Sequence, residues 1–353
     1  MVRQVELSID VTDAAGLDEP ANVAATIVLP EPETLGSPAV VLFATPSSSY
    51  SRRYYTQEMP GPGEGAQASF HAERGSIFAA LDLLGGGDSS EHDPDELDYA
   101  TLTAAAHAAE QEILLRLANG VLLEGYPPVH QPVAIGMGHA LGAGLTIYQQ
   151  ARHSSYSGIV TLGFSAIHSH PSTPPGGEPI VVAWYPRDAR LDEGAEPLNA
   201  RALAMAAQNG PQDAAWMSLA WGFHYDDVPQ EVVAQDLQHY AAVGREDGLA
   251  EDHDAMPWNS KVTPRCAARS TLTPGVVATE AAAVTVPVLC AMGVRDLVPD
   301  PLGEPRAFGL SRSVDLFICP RMGHVHNFAG TRVLLWERIQ SFGQWCAVLN
   351  AAG

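Results

Sequence analysis

The sequence predicts an α/β protein: a doubly wound, mostly parallel sheet with helices on both faces and a helical insertion late in the chain. Three observations carry this. From residue 75 to 165, strand-like apolar runs alternate with segments of helical period, the signature of right-handed crossovers. Residues 167–283 lose the strand signal and gain helical periods broken by Pro and Gly, and from residue 284 the alternating rhythm returns.

Taken in order, VRQVELSIDV and ANVAATIVLP read as strands, and PAVVLFAT is the near-continuous apolar run expected of a strand covered on both faces. GSIFAALDLL then reads as strand, TLTAAAHAAEQEILLRLANGVL as helix, QPVAIGMG as strand, ALGAGLTIYQQARH as helix and SGIVTLGFS as strand. TVPVLCAMG and VDLFICP are the last two strands, and TRVLLWERIQSFGQWCAVL is a closing helix. Within the interruption, PLNARALAMAAQNG, DAAWMSLAWGF and VPQEVVAQDLQHYAAVG are helical in pattern. The chain thus divides into a core of residues 1–166 and 284–353 and a helical cap of 167–283. The cap holds many of the aromatics, Tyr185, Tyr240 and Trp258 among them. Any one is more readily explained by the cap's own core, but together some should face the sheet and line an apolar pocket, with Trp184, Trp216, Trp221, Phe223 and Tyr225 as candidates.

Composition narrows the function. Hydrophobic residues are 46% and charged residues 17%, which gives a globule rather than a disordered chain. With 19 Lys plus Arg against 41 Asp plus Glu, the net charge of -22 disfavours nucleic acid as a partner. Cys266, Cys290, Cys319 and Cys346 show no CxxC pairing, and Cys290 and Cys319 fall in strand-like runs, as reduced core thiols do. MVRQVELSIDVTD lacks a signal-peptide core, and no apolar run reaches the roughly 18 residues of a membrane span. A soluble cytoplasmic protein with no membrane partner is expected.

The chemistry centres on GMGHALGAG, residues 136–144. A strand that enters a helix through Gly-x-x-x-Gly makes a tight turn. The glycines let strand and helix approach, and the central side chain projects above the sheet at the positive end of the helix. The central residue is Ala140, which has nothing to attack with.

On these residues the chain resembles the α/β-hydrolase family, over nearly all of its length outside the cap. The family's elbow reads Gly-x-Ser-x-Gly, which puts Ala140 at the nucleophile's position. DLLGGGDSS, from Asp82 to Ser90, is similar to the family's Asp-x-x-Gly-x-Gly-x-Ser loop after the fourth strand. The resemblance implies an acid after the penultimate strand and a histidine after the last, met by Asp296 in VPVLCAMGVRD and His324 in DLFICPRMGH, with Asp300 and His326 as rivals. His324 would take and return the proton while Asp296 fixes its tautomer. The oxyanion donors would be the N–H of Leu141 and, from the loop after the third strand, Thr45. LFATPSSSY departs there from the usual His-Gly pair, at Phe43 and Ala44.

His168 with His170, and His324 with His326, each place two imidazoles on one face of an extended segment, but with no carboxylate or cysteine at ligand spacing beside them no metal is expected. No cofactor is expected either. Ser47 to Ser49 read as turn chemistry and His139 as structural. With acid, histidine and both elbow glycines kept, Ala140 reads as a serine-to-alanine replacement in a complete hydrolase site for a carboxylic ester or lactone with an apolar or aromatic substrate. A binding protein with a dead hydrolase pocket is the alternative, and carbon-carbon bond hydrolysis or acyl transfer would use the same triad.

Overall fold

The computed structural model describes residues 2–177, 179–189, 196–207, 219–243 and 256–352. Its strands are β1 (Arg3–Asp10), β2 (Asn22–Leu29), β3 (Val40–Thr45), β4 (Ile77–Leu81), β5 (Val133–His139), β6 (Gly158–Leu162), β7 (Val288–Gly293) and β8 (Val314–Cys319). Its helices are α1 (Thr12–Ala15), α2 (Arg53–Thr56), α3 (Gln67–Ala72), α4 (Tyr99–Ala118), α5 (Leu141–His153), α6 (Ala200–Ala206), α7 (Gln230–Val243), α8 (Arg265–Ser270), α9 (Ala278–Ala283) and α10 (Arg332–Ala352). The strands form one sheet in the order β1-β2-β4-β3-β5-β6-β7-β8. β1 and β2 run antiparallel to their neighbours, and β3 to β8 are parallel.

Each strand of the expected alternation is present, and the burial explains its composition. β3, β4, β5, β6 and β7 are buried along their whole length, so both faces select apolar side chains. Val41 and Phe43 pack on one face with α4, α5, α8 and α9, while Val40, Leu42 and Ala44 pack on the other with α3 and α10. α4 begins two residues before the apolar period does, because the Asp98 carboxylate accepts a hydrogen bond from Thr101 N (2.8 Å) and caps the first turn. α2 and α3, between β3 and β4, are too short to show a periodic signal.

The interruption lies between β6 and β7. Its PLNARALAMAAQNG segment contains α6 and its VPQEVVAQDLQHYAAVG segment α7, whereas most of DAAWMSLAWGF lies outside the described residues. α7 buries Val232, Val233 and Leu237 in the same cluster as α10. Ala267 of α8 and Ala281 of α9 belong instead to the layer of α4 and α5, so the end of the interruption rejoins the sandwich before β7 begins. All four cysteines are buried and free. Among the described residues, no helix is long and apolar enough to cross a membrane.

Candidate active site

β5 ends at His139 and α5 begins at Leu141, which leaves a single residue, Ala140, to make the turn. It does so at φ 50°, ψ −115°, in the positive-φ region that alanine rarely occupies. The flanking glycines make this possible. A Cβ on Gly138 would lie 2.0 Å from the Gly142 carbonyl oxygen, and one on Gly142 would lie 2.4 Å from Thr45 O and 2.6 Å from Pro46 O. The turn therefore closes only with glycine on both sides, and the end of β3 rests on the first turn of α5.

Asp296 and His324 come from the loops after β7 and β8 and meet beside this turn. His324 donates from Nδ1 to Asp296 Oδ1 at 2.7 Å. The opposite oxygen, Oδ2, accepts from His326 Nε2 at 2.8 Å. Two backbone amides complete the set: Leu297 N to Oδ1 (2.7 Å) and Gly293 N to Oδ2 (2.8 Å). Burial alone would raise Asp296, but the His324 and His326 imidazoles outweigh it and hold the carboxyl well below the usual carboxylate range. The carboxylate is ionised, so both imidazoles present N–H to it, and Nε2 is the His324 nitrogen turned away from Asp296.

The elbow and this pair are joined through β6. Ala140 N donates to Leu162 O at 2.9 Å. The next residue, Gly163, sits at φ +57°, and a Cβ there would lie 2.8 Å from His324 Nδ1 and 2.9 Å from Asp296 Oδ1. Only a glycine lets the chain pass so close under the imidazole–carboxylate pair. His139 supports the pair from β5: its ring lies 4.6 Å from that of His324 and its Nε2 donates to the His324 carbonyl at 2.8 Å. Burial, with His324 and His326 alongside, pushes His139 well below the usual imidazole range, so it is neutral. Tyr54 stacks on its other side at 5.5 Å.

The remaining sequence-derived candidates distribute as follows. Leu141 is the first residue of α5. Thr45 ends β3 opposite Gly138, and its carbonyl accepts from Tyr55 Oη at 2.9 Å. Phe223 packs 5.0 Å from the His324 ring. Trp221 and Tyr225 each lie against the guanidinium of Arg295, at 4.5 and 4.2 Å, a residue next to Asp296 in sequence. Trp184 packs edge-on against His168 at 5.7 Å, and Trp216 lies outside the described residues. Asp300 caps the turn that follows it, accepting from Gly303 N (3.1 Å) and pairing with Arg306, and takes no part in the imidazole cluster. Asp82 is buried by its own loop, where it accepts from Arg52 N (2.6 Å) and Asp88 N (2.8 Å) and pairs with the Arg52 guanidinium.

His326 has a partner that the sequence does not reveal. The pattern HVH puts two imidazoles on one face of an extended segment and makes His324 and His326 rivals for one role. The structure gives each its own oxygen of Asp296.

A parallel sheet of this order, with the elbow after β5, an acid after β7 and a histidine after β8, defines the α/β-hydrolase fold, and the chain has it. The proline iminopeptidase of Mycobacterium smegmatis superposes with a TM-score of 0.59 at 14% identity, over 98% of this chain and 100% of that one. Est816, an N-acyl homoserine lactone degrading enzyme, gives 0.54 at 14% identity over 92% and 98%. A serine-to-alanine mutant of the meta-cleavage product hydrolase of Pseudomonas fluorescens gives 0.52 at 14% over 98% and 98%. No family model matches the sequence. No curated protein matches it either.

Proposed function

We propose that this chain carries the site of a serine-type hydrolase that cleaves a carboxylic ester or lactone with an apolar or aromatic substrate through an acyl-enzyme, with alanine in the nucleophile's place. The observation that carries the reading is the intact Asp296–His324 pair beside an alanine held at φ 50°. Such backbone strain costs on the order of 1–3 kcal/mol and is expected where a side chain must be presented for chemistry. The structural neighbours are hydrolases of several bond types, which supports the reaction class.

With serine at 140, its Oγ attacks the carbonyl carbon, His324 Nε2 takes the proton, and Asp296 stabilises the imidazolium. The oxyanion would be met by Leu141 N–H at the positive end of α5 and by a second donor at Thr45. His324 then returns the proton to the leaving alkoxide, and water repeats the sequence to release the acid. Phe223 packs against the imidazole and would contribute to an apolar pocket with other aromatics of the cap.

As written, the chain should hold such a ligand and turn it over very slowly, since loss of a triad member removes several orders of magnitude in rate. Ala140→Ser, assayed on aryl and alkyl esters and lactones of graded size, should raise turnover by roughly 10³-fold or more with a burst of the first product. A well-folded Ala140→Ser protein inert across that panel but still binding its members would establish the binding-protein reading instead. Cleavage of a carbon-carbon bond with esters untouched would move the reaction to the alternative hydrolase class.

A further inference from the structure

We propose that His326 is a positioning residue for the His324–Asp296 pair: by holding the outer carboxylate oxygen it fixes the rotation of Asp296 and sets how strongly His324 binds a proton. The inference rests on the reading of His324 as the base given above. Asp296 has four strong hydrogen bonds arranged in two equal sets. Oδ1 takes Leu297 N and His324, and Oδ2 takes Gly293 N and His326, all between 2.7 and 2.8 Å. Four donors on a buried carboxylate use the whole of its accepting capacity, so it cannot swing to offer both oxygens to His324. The negative charge is divided between two imidazoles, and each donor on Oδ2 weakens the attraction that Oδ1 exerts on a His324 imidazolium.

His326 is placed to donate in one direction only. It is 2% exposed, and its Nδ1 is buried with no partner among the described residues. The ring is confined by His139 at 5.1 Å from β5 and by His324 at 6.3 Å on its own loop. The titratable and charged groups packed around it are therefore Asp296, His324 and the neutral His139, with Tyr54 Oη accepting from the adjacent Asn327 N (2.9 Å) and the Arg332 guanidinium donating to Asn327 O (2.7 Å). No other carboxylate is hydrogen-bonded to His326 among the described residues, so its effect is transmitted through Asp296.

The test uses the chain as it stands, with Ala140 in place, and reads ring-¹⁵N-labelled histidines by NMR. Two strongly downfield ring protons are expected, one on a δ nitrogen (His324) and one on an ε nitrogen (His326). Removing the donor with His326→Leu should raise the pH at which His324 titrates by about one unit, a tenfold gain in proton affinity. His326→Gln, whose amide N–H can reach Oδ2, should restore the original titration, which a merely space-filling ring would not require. In the Ala140→Ser background, His326→Leu should move the rising limb of the kcat profile by the same amount in the same direction and leave KM unchanged. A folded His326→Leu protein in which His324 titrates as before overturns the proposal. If that variant does not fold, the unmodified chain still decides: His326 found with its proton on Nδ1 overturns it, and found with its proton on Nε2 supports it. Because the readout needs no turnover, an inert Ala140→Ser protein leaves this result standing.

Discussion

Replacing Glu110 by Gln should stabilise the protein, and by an amount that grows with pH. Glu110 lies in the middle of α4, 1% exposed, and meets Gln149 Nε2 and Tyr156 Oη at 2.6 Å each. No cation is among its partners in the described residues. Burial pushes the carboxyl up to about 8, against 4.5 for a solvated glutamate, although the bonds from Tyr156 and Gln149 pull the other way. At neutral pH the folded protein thus holds a proton that the unfolded chain has lost. The sign follows from linkage: the folded state binds the extra proton between 4.5 and about 8, so this group's contribution to stability is full below the lower value and is lost as pH rises through the upper. A gap of about three and a half pH units at about 1.36 kcal/mol each sets a ceiling of about 5 kcal/mol, and relaxation around the ionised group reduces it to roughly 2–4 kcal/mol. Glutamine reproduces the neutral acid, with an N–H facing the Tyr156 oxygen and an oxygen facing Gln149. Urea unfolding of both proteins between pH 5 and 9 should show them within about 1 kcal/mol at the acid end, with Glu110→Gln ahead by about 2–4 kcal/mol at the alkaline end. Taking the difference between the two proteins cancels the carboxylates that titrate in the opposite sense, Asp296 among them. A difference that stays flat across this range would refute the claim that Glu110 is neutral at pH 7.

Two further outcomes follow from the geometry. Gly163→Ala places a methyl 2.8 Å from His324 Nδ1 at φ +57°, so it should cost roughly 2–4 kcal/mol and abolish the downfield Nδ1 proton of His324; thermal unfolding and the proton spectrum read both. Tyr50→Phe removes the 2.8 Å bond from Tyr50 Oη to Asp236 Oδ1, a buried carboxylate of α7 that also meets His224 at 2.9 Å. The loss should be about 1.5–3 kcal/mol by denaturant unfolding, and an unchanged midpoint would mean that the bond does not clamp α7 to the core.

The parts of the molecule that sequence could reveal are those where one local rule acts alone. β3 and β7 were legible because burial on both faces leaves no polar alternative, and the elbow because Gly138 and Gly142 are required by contacts shorter than any side chain allows. The loop that carries Asp296 was marked by the fully buried run of β7 three residues before it, whereas β8, mostly half-buried, marks the loop of His324 by its end at the buried Cys319 rather than by an unbroken apolar run. α2 and α3 were not, since helices of four and six residues give no periodic pattern. Nor was the sharing of Asp296: spacing puts His324 and His326 on the same face, but whether they compete for one oxygen or take one each depends on how the carboxylate is turned, which Gly293 N and Leu297 N decide from another loop. The company of Trp221 and Tyr225 was likewise hidden, because the Arg295 guanidinium they pack against lies about seventy positions further along the chain and pairs with Asp226, the neighbour of Tyr225.

Residues of the interruption are stitched to the histidine loop through the main chain: His324 N donates to Gly222 O at 2.8 Å and Val325 N to Phe223 O at 3.1 Å, while Gly323 passes so near that a Cβ would lie 2.3 Å from Phe223 O. At this corner the interruption and the histidine loop are one mechanical unit. A displacement of 222–223 pulls on the stretch of backbone that carries the His324 imidazole, so movement in this part of the interruption is felt at the Asp296–His324 pair.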